Sequence, residues 1–92
     1  METYSIYITQ NLLYPEKAYV GMTARINDVN YLGSDKYLQK DIKTLGRINF
    51  NRTTLGEFSN WEEAHYWEGF YVKTLKTHVS YGGYNKDSTN SR

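Results

Sequence analysis

The stretch Asn60–Lys76, NWEEAHYWEGFYVKTLK, reads as one long helix near the C-terminus. Ser59 or Asn60 is placed to cap its start, with Glu62 or Glu63 as the capping-box partner three residues on. At about 100° per residue, Trp61, Ala64, Tyr71, Val72 and Leu75 fall on one apolar stripe. Glu62, Glu63, Gly69 and Lys73 fall outside it. Glu68 sits within the stripe, where a charge is costly unless something pairs with it. Two readings of Glu68 are open. It is either a carboxylate that snorkels or meets a buried arginine, or one held at the floor of a site, ready for a divalent metal.

Working outward, 92 residues make one domain with a modest core. Ten tyrosines mean that much of the buried area must come from amphipathic rings. There is no cysteine, hence no disulfide framework and no thiolate metal site. No apolar run approaches membrane-spanning length and no signal-peptide pattern opens the chain, so no membrane partner is expected. The expectation is a soluble, cytoplasmic protein. A net charge of +1 leaves no global nucleic-acid footprint, but Lys17 to Arg52 holds seven basic residues against three acidic ones.

Tyr4–Gln10 alternates and is rich in β-formers, which predicts a strand with Tyr4, Ile6 and Ile8 on one face and Ser5, Tyr7 and Thr9 on the other. Lys17–Thr23 predicts a second strand, antiparallel to the first. Ala18, Val20 and Met22 share one face; Lys17, Tyr19 and Gly21 share the other. Tyr7 and Tyr19 thus point away from the aliphatic side, as ordinary cross-strand aromatics also would. The polar segment Ala24–Gly33 reads as a loop. Ser34 is the expected N-cap of a helix Asp35–Leu45 that stops at Gly46. Leu38, Ile42 and Leu45 form its apolar stripe. Lys36, Lys40 and Lys43 lie nearly opposite, with Arg47 just beyond, either as a solvated face or as a phosphate-contacting edge for nucleic acid. Asn49–Phe58 is a third strand, broken by Gly56; its Arg52 can reach solvent or the site. Gly82-Gly83 marks a turn, Tyr84-Asn85 a short closing segment, and residues 86–92 a polar, frayed tail. The order ββαβα predicts an α+β domain over residues 1–85, a small three-stranded antiparallel sheet with flanking helices.

The spacing of Ser5-Ile6-Tyr7 and Tyr19-Val20-Gly21, eleven residues apart, resembles the paired signature of the GIY-YIG nucleases. The likeness extends to Tyr31-Leu32-Gly33-Ser34, Gly46 and Asn49-Phe50, which look like the phage homing-endonuclease branch. Trp67–Lys73 is similar to the family's helix that carries its glutamate, and Gly83-Tyr84-Asn85 to its terminal asparagine motif. The resemblance implies a divalent-metal-dependent DNA endonuclease. Glu68 would bind Mg²⁺ or Mn²⁺. Tyr7 and Tyr19 would position phosphate, one of them helping to activate water as a phenol whose ionisation is eased by the metal. Asn85 would support the site through a metal-bound water or by holding backbone.

Two departures stand out. Ser5 replaces the first glycine of the signature. The arginine that the family places on a helix after the second strand falls here in a loop, where Arg25 is the nearest candidate, with Arg47, Arg52 and Lys36 as alternatives. The family's homing enzymes carry a separate DNA-targeting module, which this chain has no room for, so either a separate domain or a partner protein supplies recognition, or the chain cuts with little sequence preference. His65 and His78 are thirteen residues apart, on a helix and a loop, and read as surface or packing residues rather than a metal pair. Two other classes remain open: a nucleic-acid-binding module on the same fold that no longer cuts, and a phage protein-interaction factor.

Overall fold

The computed structural model describes residues 3–24 and 31–86. Its elements are β1 (Tyr4–Asn11), β2 (Ala18–Thr23), α1 (Lys36–Leu45), β3 (Phe50–Phe58) and α2 (Trp61–Thr74), with 3₁₀ turns at Arg47–Asn49 and Val79–Tyr81. The domain is α+β, and the three antiparallel strands lie in the order β2-β1-β3. Strand β1 is therefore central, and both of its faces are covered. This is why its apolar and polar positions are buried alike, from Ile6 to Thr9 and Asn11.

On one face Ile6, Ile8 and Val20 pack against Val72, Trp67 and Tyr71 of α2, with Leu55 and Phe58 from β3. On the other, Tyr19 joins Leu32, Leu38, Phe50 and Tyr84, which α1 closes with Ile42 and Leu45. The end of the predicted loop belongs to this second core. Leu32 is buried, and its carbonyl accepts a 2.7 Å hydrogen bond from Thr9 Oγ1.

Several boundaries differ from the sequence expectation. The N-cap of α1 is Asp35, not Ser34: its carboxylate accepts from the Tyr37 and Leu38 amides, each at 3.0 Å. In α2 Asn60 is the cap, bonded to the Glu63 amide. The buried line of α2 is Ala64, Glu68, Gly69 and Val72. Trp61 and Leu75, expected inside, are exposed, while Gly69, expected outside, is buried. The helix is rotated so that small residues let it approach the sheet. Lys86 is tied down rather than frayed, since its ammonium meets Asp35 and its carbonyl bonds His78 Nε2. Residues 87–92 lie outside the described part.

Gly56 does not break β3. Ile6 pairs with Gly56 but Tyr7 pairs with Thr54, so Leu55 is an extra residue and the strand carries a bulge there. Past the bulge, Arg52 sits opposite Thr9. Residues directly opposite share a sheet face, so Arg52 joins the face of Tyr7 and Thr9. In an unbulged ladder Thr53 would take that place.

A polar network ties the two ends of the chain together. Asn11 Nδ2 donates to the Tyr84 hydroxyl at 3.1 Å, which donates to Asp41 at 2.7 Å, and Lys17 pairs with Asp41 at 3.5 Å. Burial, then the hydrogen bond to Asp41, pushes the Tyr84 phenol up, against a lowering bond from Asn11. Replacing Tyr84 with Phe removes the acceptor of Asn11 Nδ2 and a donor to Asp41, and is expected to lower stability by about 1–3 kcal/mol in chemical denaturation.

Candidate active site

The site forms where β1, β2 and the start of the Tyr31–Asp35 segment meet. Tyr7 is opposite Gly21 in the ladder, and its side chain is 1% exposed. A Cβ on Gly21 would lie 2.4 Å from the Tyr7 hydroxyl and 2.8 Å from the Tyr19 ring. Glycine is required there because two phenol rings converge over the strand. The Tyr19 ring lies 6.4 Å from that of Tyr7, and Tyr31 packs edge-on at 6.0 Å. Gly33, with φ of 125°, gives way to the Tyr19 ring in the same manner.

Arg52 completes the cluster. Its guanidinium carbon is 4.5 Å from the centre of the Tyr7 ring, and its Nη1 donates to the Tyr31 carbonyl at 3.1 Å. Thus Arg52, one of the alternatives in the sequence, is the arginine brought to Tyr7; Arg25 lies outside the described residues. Lys36, Lys40 and Lys43 are exposed on α1, and Arg47 is exposed just beyond it. Lys40 borders a cleft of about 310 Å³ with Lys17, Tyr37, Asp41 and Tyr84.

Glu68 is 8% exposed, one turn of α2 from Ala64 and Val72. Its field reaches Tyr7. The Tyr7 phenol is pushed well above the ordinary tyrosine value, first by burial, then by Tyr19 and Tyr31; Arg52 opposes the shift and Glu68 adds to it. Without a cation in the site, Tyr7 stays protonated, a hydrogen-bond donor rather than a base.

Asn85 acts on backbone. Its Oδ1 accepts from the Val20 amide at 2.9 Å and from Thr77 Oγ1 at 2.7 Å, while its Nδ2 donates to the Val20 carbonyl at 3.0 Å. With the Tyr84 amide bonded to the Ala18 carbonyl, the segment covers the open edge of β2. Asn85 thereby fixes the strand that carries Tyr19 and Gly21. The contact spans 65 residues of sequence.

The histidines part company. His78 is structural: Nδ1 bonds Ser80 and Nε2 bonds the Lys86 carbonyl. His65 is no ordinary surface residue, because its Nδ1 is 3.7 Å from Glu68 Oε1 and its ring stacks on Trp61 at 4.8 Å. Its position three before Glu68 on one helix was the available signal.

Among the described residues no group of three or more His, Asp and Glu side chains gathers to cage a metal. A buried carboxylate whose field reaches a phenol nevertheless fits Mg²⁺ or Mn²⁺, which bind through one or two carboxylates and otherwise through water and phosphate oxygens. Glu68 would hold such an ion.

Fold and site together define a small α+β domain that carries one buried carboxylate on α2 and a cluster of phenols and a guanidinium on β1, β2 and β3, with Tyr7 within the field of that carboxylate. The chain is 46% identical over 65 residues to a protein of Enterobacteria phage T4 named "Putative endonuclease segE", an alignment covering 68% of this chain and 31% of that protein. The chain thus spans about a third of the length of this curated relative. No protein-family model and no solved structure matches the chain. Among the described residues, no helix is long and apolar enough to cross a membrane.

Proposed function

We propose that this chain is the catalytic domain of a DNA endonuclease of the GIY-YIG type, hydrolysing phosphodiester bonds with one Mg²⁺ or Mn²⁺ ion, as in phage homing endonucleases. The carrying observation is the buried Glu68 within electrostatic reach of Tyr7, with the Arg52 guanidinium against the same ring. The similarity to segE supports the endonuclease class.

A bound divalent ion would polarise a phosphoryl oxygen and lower the pKa of an attacking water. The protein's own groups do the rest. Glu68 anchors that charge in a fixed place. Tyr7, whose phenol burial pushes up, offers a hydrogen bond to a phosphate oxygen or to the water. Tyr19, half-buried at the mouth, is the phenol more open to substrate. Arg52 supplies positive charge where it develops on the scissile phosphate. Asn85 keeps β2 and its two site residues in register. Lys36, Lys40, Lys43 and Arg47 offer phosphate contacts along exposed α1, and a separate DNA-targeting segment or partner protein would supply recognition.

The test is nicking of supercoiled plasmid. Cutting is expected with Mg²⁺ or Mn²⁺ and none with excess chelator; no metal-dependent cutting at any protein concentration sinks the reading. Arg52→Ala is expected to slow cutting by about 10²–10³, with Arg52→Lys recovering only part of it, because a point charge does not replace the guanidinium fork. Single-turnover rates measured beside thermal melts separate this loss from misfolding.

A further inference from the structure

We propose that His65 is a second protein ligand of the cation held by Glu68, so that α2 carries a His-x-x-Glu metal clip. The inference rests on the reading of Glu68 as the metal-holding carboxylate.

His65 Nδ1 is buried and makes no hydrogen bond within the protein. A buried nitrogen left in this way calls for a missing partner, and an ion is among the usual ones. Glu68 Oε1 stands 3.7 Å from this nitrogen. That distance is too long for a hydrogen bond. It is close to the spacing of two ligands on one ion: with bonds of about 2.1 Å, neighbouring ligands stand roughly 3.0–3.4 Å apart. A side-chain shift of about half an ångström brings both atoms within bonding range of one ion.

The ring is also held in place. The imidazole lies parallel to the Trp61 indole, with an interplanar angle of 7°. Stacking fixes the ring plane while α2 fixes its distance from Glu68, since residues three apart share a helix face. A carboxylate and an imidazole three residues apart on one helix are a known way to share a metal, there with the carboxylate first. Imidazole brings a donor that favours ions such as Ni²⁺, whereas carboxylate and water suit Mg²⁺ and Mn²⁺.

That difference provides the test, in untagged full chain and without DNA. Ni²⁺ affinity is read by calorimetry and by quenching of tryptophan fluorescence, to which Trp61 is the nearest reporter. Mn²⁺ affinity is read from the free-ion electron paramagnetic resonance signal. His65→Ala and His65→Asn are each expected to weaken Ni²⁺ binding about tenfold or more and to weaken Mn²⁺ binding at least fivefold less than that. Glu68→Gln is expected to weaken both. Asparagine keeps a polar atom near the Nδ1 position, so it decides the matter if the alanine variant fails to melt cooperatively.

Parent protein that does not bind Ni²⁺ overturns the proposal. So does Ni²⁺ binding unchanged in His65→Asn, or an equal loss for Ni²⁺ and Mn²⁺, which would mean that His65 only orients Glu68 as its ion-pair partner. Failure of the nuclease reading looks different. A protein that binds Ni²⁺ through His65 and Glu68 but cuts no plasmid keeps the clip and loses the nuclease. One that cuts with Mg²⁺ while Ni²⁺ binding ignores His65 keeps the nuclease and loses the clip.

Discussion

Glu68→Ala is expected to remove metal-dependent plasmid cutting, by on the order of 10³ or more, while leaving the domain as stable as its parent or more so. The first half follows from losing the carboxylate that fixes the ion, whose charge stabilisation is worth several kcal/mol. The second half follows from burial. Glu68 is 8% exposed on the inner line of α2, between Ala64 and Val72. A carboxylate there gives up hydration even where it keeps partners, and alanine restores a good helix former at an apolar position. Activity and stability should therefore move in opposite directions, as they do where a fold tolerates a strained functional group. The rival reading makes Glu68 a structural ion-pair partner. It predicts the reverse: a fall of about 3–5 kcal/mol in stability from breaking a buried pair. Thermal melts beside single-turnover cutting rates decide between them.

Gly83→Ala is expected to be the most destabilising single-methyl change in the closing segment. The added Cβ would lie 2.0 Å from the Thr77 carbonyl oxygen and 2.4 Å from its carbon. Both are backbone atoms, so no rotamer change relieves the clash. Thr77 is itself anchored, accepting from the Asn85 amide at 2.9 Å and donating through Oγ1 to the Asn85 side chain. The chain must open this turn or move Asn85 off Val20. An overpacking penalty of about 3 kcal/mol or more is expected, a fall in melting temperature of roughly 10–20 °C for a domain of this size. Cutting should fall as well, because β2 loses its clamp. Gly46→Ala is the control. Its added Cβ meets only Asn49 Nδ2 at 3.9 Å, so it carries conformational strain at φ of 95° without a clash. A melt that moves no more for Gly83→Ala than for Gly46→Ala would contradict the packing argument.

Much of the architecture is legible in one dimension. Alternation in Tyr4–Gln10 and Lys17–Thr23 marks β1 and β2, and the stripe Leu38, Ile42 and Leu45 marks the buried side of α1. Gly46 stops α1, where it donates its amide to Ile42 and carries φ of 95°. These signals are local, resting on periodicity and on backbone angles that only certain residues adopt easily. The errors were local too. Ser34 and Asp35 are both good caps, and only the chain direction into α1 selects Asp35. On α2 the choice of inward face depended on how closely the helix approaches the sheet, which Ala64 and Gly69 permit and periodicity does not reveal.

The site divides the same way. Sequence alone determined that a carboxylate lies on the buried side of a helix, that two tyrosines project from paired strands, and that a glycine-rich turn precedes Tyr84-Asn85. The tertiary structure alone decided which atoms meet. The extra residue Leu55 shifts the β3 ladder by one, and a shift of one residue sends a side chain to the opposite face; that is what carries Arg52 to Tyr7. Asn85 reaches Val20 across 65 residues because the last segment lies along the edge of β2. Burial from both sides of β1 pushes the Tyr7 phenol up, against the lowering pull of Arg52. Each of these depends on packing between distant segments, where desolvation and strand register, not local propensity, set the outcome.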